Sequence, residues 1–113
     1  MVSKKTVHET EFKDNLKDGK GMAILKNLLP IKPINVTLFS EVDLDAGCSI
    51  GRHSHEDESE IYYILEGSGV YDDNGKEVRV EKGDVTVCHS GESHALENDG
   101  GETLKILAII VME

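Results

Sequence analysis

The most restrictive feature of this sequence is a succession of short runs rich in β-branched residues, which begins at Asn35. About eight such runs, each closed by turn residues, follow one another: NVTLFSEVDL, CSIGRHSH, EIYYILEG, GVYDD, KEVRVEKG, DVTVCH, HALEN and TLKILAIIVM. Residues of this kind favour strands, and no helical pattern of ten or more residues lies between the runs. The sequence therefore predicts an all-β domain, built as an antiparallel sandwich or barrel.

One turn is defined by its residue types. Asp73-Asn74-Gly75-Lys76 lies between the runs GVYDD and KEVRVE. Asn-Gly supplies the two positive φ angles that a two-residue hairpin needs. We predict a tight hairpin at this point.

The N-terminal part of the chain differs from the rest. Residues 1–20 are polar and aperiodic, and we expect them to form an arm that packs loosely. The remaining residues, 21–113, are expected to form a single barrel domain, since a chain of 113 residues has no room for a second core. The segment MAILKNLL at 22–29 could form a short helix. Its position between Gly21 and the Pro30/Pro33 pair favours a strand on the outside of the barrel.

Composition excludes several classes of partner. The net charge is −10, and no basic cluster is longer than Lys4-Lys5, so neither nucleic acid nor an anionic membrane is an expected partner. No stretch is apolar over the length of a bilayer, and the N-terminus lacks the apolar core of a signal peptide. We therefore expect a cytoplasmic protein, in which Cys48 and Cys88 are reduced thiols rather than a disulfide.

Candidate chemistry is concentrated in the stretch CSIGRHSHEDESEIYYILEG. His53 and His55 are separated by one residue, which on a strand places both imidazoles on one face. Glu60 directly precedes the apolar run IYYIL, so we expect it to be fixed on a strand. We interpret the acidic residues between them as a solvated loop: Glu56, Asp57 and Glu58. A third imidazole, His94 in SGESHALEN, would have to lie on a neighbouring strand, which spacing alone does not establish.

The spacing of these residues resembles the first sequence motif of the cupin superfamily. Gly47 is followed after five residues by His53-x-His55, after four more by Glu60, and after six more by Gly67. The second cupin motif is matched by Gly83, His89-x-Gly91, His94 and Asn98, with one departure, because His89 occupies the position where proline is usual. The fifteen residues between Gly67 and Gly83 resemble the short spacer of microbial one-domain cupins.

This resemblance implies a double-stranded β-helix, or jelly-roll barrel, of six to eight strands. It also implies one divalent metal ion near one mouth of the barrel, bound by the residues that match the motif: His53, His55, Glu60 and His94. Three neutral imidazoles and one carboxylate leave two cis positions of an octahedron open, a set suited to Mn²⁺, Fe²⁺, Ni²⁺, Co²⁺ or Zn²⁺. We interpret His89 as a loop side chain rather than a fifth ligand.

Strand parity suggests which side chains share the pocket with these ligands. Ser49 precedes His53 on the same parity, while Tyr62 and Ile64 follow Glu60. Tyr62 could donate a hydrogen bond to a substrate, or it could be a core residue. Glu92 could act as an acid or base at the mouth, although an exposed turn residue is the interpretation we favour. A bulge near Gly51 would change the parity before His53.

Two classes of function remain open. A metal with open positions favours an enzyme that decarboxylates, dioxygenates or isomerises a small oxygenated metabolite. The alternative is a non-catalytic cupin that senses a small molecule or holds a metal. The ligand set is similar to that of oxalate decarboxylases and oxidases, but their arginine three residues before the first ligand histidine is replaced by Ile50. That replacement argues against oxalate, because a dianion needs compensating charge.

The apolar segments MAILKNLL and LKILAIIVM flank a small barrel. We expect two chains to associate through outer strands that carry these segments, so that the protein forms a homodimer.

Overall fold

The computed structural model describes residues 1–113 and contains ten strands with two short 3₁₀ turns, Lys5–Val7 and Leu16–Asp18. The strands are β1 (Glu9–Asp14), β2 (Met22–Asn27), β3 (Val36–Leu44), β4 (Ser49–Ser54), β5 (Glu58–Glu66), β6 (Ser68–Asp73), β7 (Lys76–Glu81), β8 (Val85–Cys88), β9 (Ser93–Glu97) and β10 (Leu104–Met112). A six-stranded sheet has the order β1-β2-β3-β10-β5-β8, and a four-stranded sheet has the order β4-β9-β6-β7. All pairings are antiparallel.

The core lies between the two sheets. Strand β10 is central in the larger sheet, and its inward residues Leu104, Ile106 and Ala108 are fully buried. Residues of the smaller sheet, among them Leu96 and Tyr71, pack in the same cluster. Aliphatic residues at a period of two along strands such as β2, β3 and β10 account for this arrangement. The predicted all-β jelly-roll barrel is confirmed.

The predicted hairpin is present between β6 and β7. Asp73 pairs with Lys76, while Asn74 and Gly75 have φ angles of 53° and 94°. The Gly75 amide donates to Oδ1 of Asp72 at 2.6 Å. Both residues of the turn have the left-handed conformation that Asn-Gly favours.

The segment before the barrel is more ordered than the sequence suggested. Strand β1 pairs with β2 along its whole length, so residues 9–14 are not a loosely packed arm. Strand β2 lies between β1 and β3 in the sheet. It is not on the outside of the barrel, since its alternate residues Ala23 and Leu25 are buried in the core. The division of the chain into an arm at 1–20 and one domain at 21–113 stays a prediction.

A tight turn connects β1 to β2, and we call residues 15–21 the strap. Asn15, Lys17 and Asp18 have φ angles of 51°, 56° and 63°, a conformation that L-residues other than glycine adopt rarely. The Asn15 amide donates to the Gly21 carbonyl at 2.8 Å, which closes the turn.

The strap is packed directly on strand β4. A Cβ atom on Gly51 would lie 2.0 Å from the carbonyl oxygen of Lys17, so only glycine permits this approach. The Ser49 amide donates to the Lys20 carbonyl at 2.8 Å, and the Lys20 amide donates to Oγ of Ser49 at 2.9 Å. The strap is therefore fixed against the strand that carries His53.

Three smaller features bear on the sequence analysis. Cys48 and Cys88 are both free, as predicted. Asn98 is fully buried, and its amide nitrogen donates to the carbonyl oxygens of Leu44 and Glu102 at 2.8 and 2.7 Å. None of the helical segments has the length and apolar character required to cross a bilayer.

Candidate metal centre

The four side chains that were predicted to bind a metal lie on β4, β5 and β9 and directly after β4. His53 lies on β4 and is paired in register with His94 on the neighbouring strand β9. His55 directly follows β4, where its amide donates to the Glu92 carbonyl and its carbonyl accepts from the Gly91 amide. Glu60 lies near the start of β5 in the other sheet. Both sheets therefore contribute to one cluster.

The ligand atoms of this cluster are in mutual contact. Oε1 of Glu60 lies 3.3 Å from Nε2 of His53 and 3.0 Å from Nε2 of both His55 and His94. Nε2 of His94 lies 3.0 Å from Nε2 of His53 and 3.1 Å from that of His55. All four atoms lie within 4.8 Å of one another.

These separations fit a divalent ion. With bonds of about 2.1 Å, neighbouring ligands of an octahedral ion are about 3.0 Å apart, and those of a tetrahedral ion about 3.4 Å. Five of the six separations are 3.0 to 3.3 Å. The group of three imidazoles and one carboxylate could therefore bind one metal ion, with spacings closer to those of an octahedron.

The other ring nitrogens have fixed partners. Nδ1 of His53 donates to the Gly51 carbonyl at 2.8 Å, and Nδ1 of His55 donates to Oε2 of Glu58 at 3.1 Å. Nδ1 of His94 lies 2.9 Å from the Tyr71 hydroxyl, which can accept a hydrogen bond. Because their protons are on Nδ1, neutral His53 and His55 present the lone pairs of Nε2 to the cluster.

The electrostatics of the cluster favour a cation at its centre. Burial alone would raise the pKa of Glu60, but hydrogen bonds from His53, His55 and His94 hold it well below its usual range. The carboxylate is therefore ionised although it is only 4 % exposed. The hydrogen bond to Glu60 raises the pKa of His55, whereas burial lowers that of His94. A carboxylate and imidazole lone pairs that point at one another require either protons or a metal ion between them.

A cavity of about 440 Å³ opens beside the cluster. Tyr62 lines it and stacks on the His94 ring, with centroids 4.9 Å apart and an interplanar angle of 20°. Burial raises the pKa of Tyr62 well above its usual value, so the phenol is neutral and can donate a hydrogen bond. Apolar residues form most of the remaining wall: Leu16, Leu25, Leu38, Val42, Ile50, Ala108 and Ile110.

Three of the residues expected in the pocket lie elsewhere. The pairing of β4 with β9 shifts between Ile50 and His53, and this bulge places Ile50 on the cavity wall. Ser49 consequently faces the strap and accepts a hydrogen bond from it. Ile64 is a core residue that is 1 % exposed and does not line the cavity.

Glu92 is the third expected residue outside the cavity, and it stabilises a turn instead. Its carboxylate accepts hydrogen bonds from the His89 amide at 2.8 Å and from Nδ2 of Asn74 at 3.1 Å. His89 itself is exposed in this turn and is not among the ligand group.

Two residues that orient the ligands were not predicted from the sequence. Glu58 was interpreted as part of a solvated loop, but it begins β5 and holds His55. Its parity, two residues before Glu60, was a usable signal. Tyr71 on β6 had no such signal, because its contact with His94 depends on the pairing of β6 with β9.

The jelly-roll fold and the cluster of three histidines and one glutamate are both features that the resemblance to the cupins predicts. A comparison with protein-family models gives the same assignment. Residues 40–110 match the family model described as "Cupin domain", which covers more than half of the chain. This protein belongs to the cupin family.

Individual relatives narrow the comparison. The chain is 42% identical to a protein of Thermotoga maritima named "Oxalate-binding protein", over 99% of this chain and 94% of that one. A crystal structure of a predicted oxalate decarboxylase from Thermotoga maritima superposes with a TM-score of 0.93 at 42% identity and covers both chains completely. Acireductone dioxygenase 1 of Vitis vinifera is 39% identical over 66 residues, 54% of this chain and 35% of that protein.

Proposed function

We propose that this protein binds one divalent metal ion through His53, His55, Glu60 and His94, and a small carboxylate at the metal. The observation that carries the proposal is the convergence of three Nε2 atoms and Oε1 of Glu60 at separations of 3.0 to 3.3 Å. The donor set suits Mn²⁺, Fe²⁺, Ni²⁺, Co²⁺ or Zn²⁺. Bound there, such an ion would act as a Lewis acid toward an oxygen of the ligand.

The chain's own residues contribute orientation and exclusion of water. Gly51, Glu58 and Tyr71 hold the three rings through their Nδ1 atoms. The neutral Tyr62 phenol lines the cavity close to Glu60, and we propose that it donates to a ligand oxygen. The size of the cavity and its largely apolar wall favour a small ligand.

We propose a metal-dependent enzyme as the first function, acting by decarboxylation, dioxygenation or isomerisation of the bound metabolite. The names of two relatives, a predicted oxalate decarboxylase and an acireductone dioxygenase, support reactions of this kind. Oxalate is the first ligand to test, because the relative that is 42% identical is named for binding it. Ile50 occupies the position where the oxalate enzymes carry an arginine, which argues against oxalate as the ligand. The test therefore needs a wider panel of carboxylates.

A second candidate is a protein that binds its small molecule without turnover. The same relative is named for binding oxalate, not for a reaction. Protein loaded with Mn²⁺, or with Fe²⁺ in air, and incubated with oxalate and a panel of keto and hydroxy acids separates the two. Loss of an acid with release of product, followed by nuclear magnetic resonance, supports the enzyme, whereas saturable binding with no consumption supports the binding protein.

The metal proposal is tested by reconstitution. Metal-free protein titrated with Mn²⁺ or Co²⁺ should take up one ion per chain, and Glu60→Gln and His94→Ala should each abolish uptake. His89→Ala provides the control, because His89 is exposed and lies outside the ligand group. Uptake that persists in Glu60→Gln and His94→Ala would refute the proposed centre.

We also propose that the protein is a homodimer formed through the outer face of the six-stranded sheet. Strand pairing aligns two rows of side chains there: Phe39, Ile109, Ile61 and Val87, and beside them Glu41, Leu107, Tyr63 and Val85. Exposed fractions of 59% for Val85 and 43% for Tyr63 indicate an uncovered apolar face. Val87→Glu should convert a dimer to a monomer in light scattering at micromolar concentration, and Ile34→Glu in an exposed loop should not. A monomeric wild-type chain would refute the dimer.

We propose a cytoplasmic location. The two free cysteines are compatible with a reducing compartment. Fractionation of cells that express the tagged protein tests this.

A further inference from the structure

The strap brings a basic side chain to the metal cavity. Lys17 lines the same cavity as His53, His55 and Glu60, and it is the only lysine or arginine to do so. The other charged residues of the lining are the carboxylates Glu56, Glu58 and Glu60. An anion that enters the cavity therefore has one cationic side chain available beyond the metal ligands.

Lys17 is not engaged elsewhere in the protein. The ion pairs of other lysines join Lys13 to Glu11 and Lys105 to Glu41, and Lys17 takes part in none. No hydrogen bond involves its side chain. The Lys17 side chain is exposed and unpaired, so its ammonium is free to pair with a ligand.

The position of Lys17 is built into the backbone rather than left to a mobile terminus. Its φ angle is 56°, and its carbonyl lies so close to Gly51, two residues from His53 on the same strand, that a Cβ there would be 2.0 Å away. The Gly19 amide also donates to the Leu16 carbonyl at 3.0 Å, across Lys17. The backbone position of Lys17 is therefore set by packing between the strap and β4.

We infer that Lys17 determines the class of ligand by pairing with a second carboxylate, so that the cavity selects small dicarboxylates over monocarboxylates. The inference rests on the proposed function, because the first carboxylate is taken to bind at the metal. Without Lys17, Glu56 and Glu58 would leave only negative charge on the polar wall and would oppose a dianion. A cavity of about 440 Å³ accommodates dicarboxylates of two to four carbons. Lys17 would thus supply the charge that Ile50 cannot.

Calorimetric titration of Co²⁺-loaded protein tests this with three pairs of probes: oxalate and acetate, malonate and propionate, succinate and butyrate. We expect Lys17→Gln to weaken the tightest-binding dicarboxylate about five- to tenfold and its monocarboxylate partner less than twofold. Lys17→Arg should retain the affinity within about twofold. Lys17→Asn should weaken dicarboxylate binding as much as Lys17→Gln does. Because asparagine tolerates the left-handed conformation, this loss of affinity is not a folding effect.

Lys20→Gln is the matched control, with the same change of charge on the strap but outside the cavity lining. Equal losses in Lys17→Gln and Lys20→Gln, equal losses for both members of a probe pair, or no loss at all would overturn the inference. So would a metal-loaded wild-type protein that binds none of the dicarboxylates. Failure of the proposed function itself is distinguishable, because the visible spectrum of Co²⁺ would then show no binding of the metal before any carboxylate is added.

Discussion

Replacement of Tyr71 by phenylalanine removes the partner of Nδ1 of His94 while leaving the aromatic ring in the core. The hydroxyl lies 2.9 Å from that nitrogen, and His94 is fully buried, so no water can take its place. In the metal-free protein, His94 can carry its proton on Nε2 and donate to Glu60, 3.0 Å away. With metal on Nε2, the proton must be on Nδ1, where phenylalanine leaves it unpaired.

Without the hydroxyl, Nδ1 is an unpaired acceptor in the metal-free protein and an unpaired donor in the metal-bound one, so the substitution costs stability in both states and also removes the group that orients the ring for the metal. An unpaired buried donor costs about 1–3 kcal/mol, and loss of a partner that orients a metal ligand lowers affinity about 10- to 100-fold. We expect Tyr71→Phe to lower the affinity for Co²⁺ or Mn²⁺ by that factor, measured in competition with a chromophoric chelator. Glu58→Gln should cost less, because its side chain is 33% exposed and the amide oxygen can still accept from His55.

Circular dichroism and the melting temperature of the metal-free protein provide the control for both variants. If Tyr71→Phe binds metal as tightly as the wild type, or if the exposed partner Glu58 proves more costly than the buried Tyr71, the proposed orientation of the rings is wrong.

Three further outcomes follow from the same geometry. Metal at a concentration 100 times its Kd should stabilise the wild type by about 2.7 kcal/mol, a rise in Tm of about 10 °C that Glu60→Gln abolishes; an unchanged wild-type Tm would contradict this. Metal affinity should increase from pH 6 to pH 8 in calorimetry, because the hydrogen bond to Glu60 raises the pKa of His55 above 6.5 and its proton must leave on binding; a flat profile would contradict it. Gly51→Ala should lower stability by about 2 kcal/mol in urea unfolding, since its Cβ would meet the Lys17 carbonyl at 2.0 Å. Gly101→Ala, whose Cβ would have nothing within 4 Å, should change stability by less than about 0.5 kcal/mol. Equal effects would contradict the packing of the strap on β4.

Three residues of the cluster make the stability of the metal-free protein depend on pH: Glu60, His55 and His94. The folded-state pKa of Glu60 is depressed, so its contribution to stability is present above its usual pKa of 4.5 and is lost as pH falls through the folded value. The folded-state pKa of His55 is raised, so its contribution is present below 6.5 and is lost as pH rises through the folded value. Burial lowers the folded-state pKa of His94, so this residue opposes His55 and removes stability as pH falls below 6.5. Denaturant unfolding of the metal-free protein between pH 4 and pH 8 measures the balance.

Local patterns in the sequence predicted much of the barrel. Strands such as β5 and β10 follow from β-branched runs, and the β6–β7 hairpin follows from Asn74-Gly75. These features depend on residues that are neighbours along the chain, so they can be predicted from the sequence. The grouping of His53 and His55 on one face has the same origin, whereas His94 could be placed only through the resemblance to a family.

Features that depend on contacts between distant segments were not predictable. The bulge between Ile50 and His53 inverted the parity on which Ser49 was assigned to the pocket. Tyr71 reaches His94 only because β6 lies beside β9. The polar strand β1 lacks an apolar face, and its order comes from backbone pairing with β2 rather than from burial.

The wall of the cavity and the metal ligands come from different parts of the chain. All four ligands fall within residues 40–110, the portion shared with the cupin model, whereas Leu16, Lys17, Leu25 and Leu38 precede it. Changes in residues 1–39 can therefore alter the wall of the cavity without replacing any of the four side chains that could bind a metal ion. A truncation at residue 40 would remove four residues of the cavity wall: Leu16, Lys17, Leu25 and Leu38.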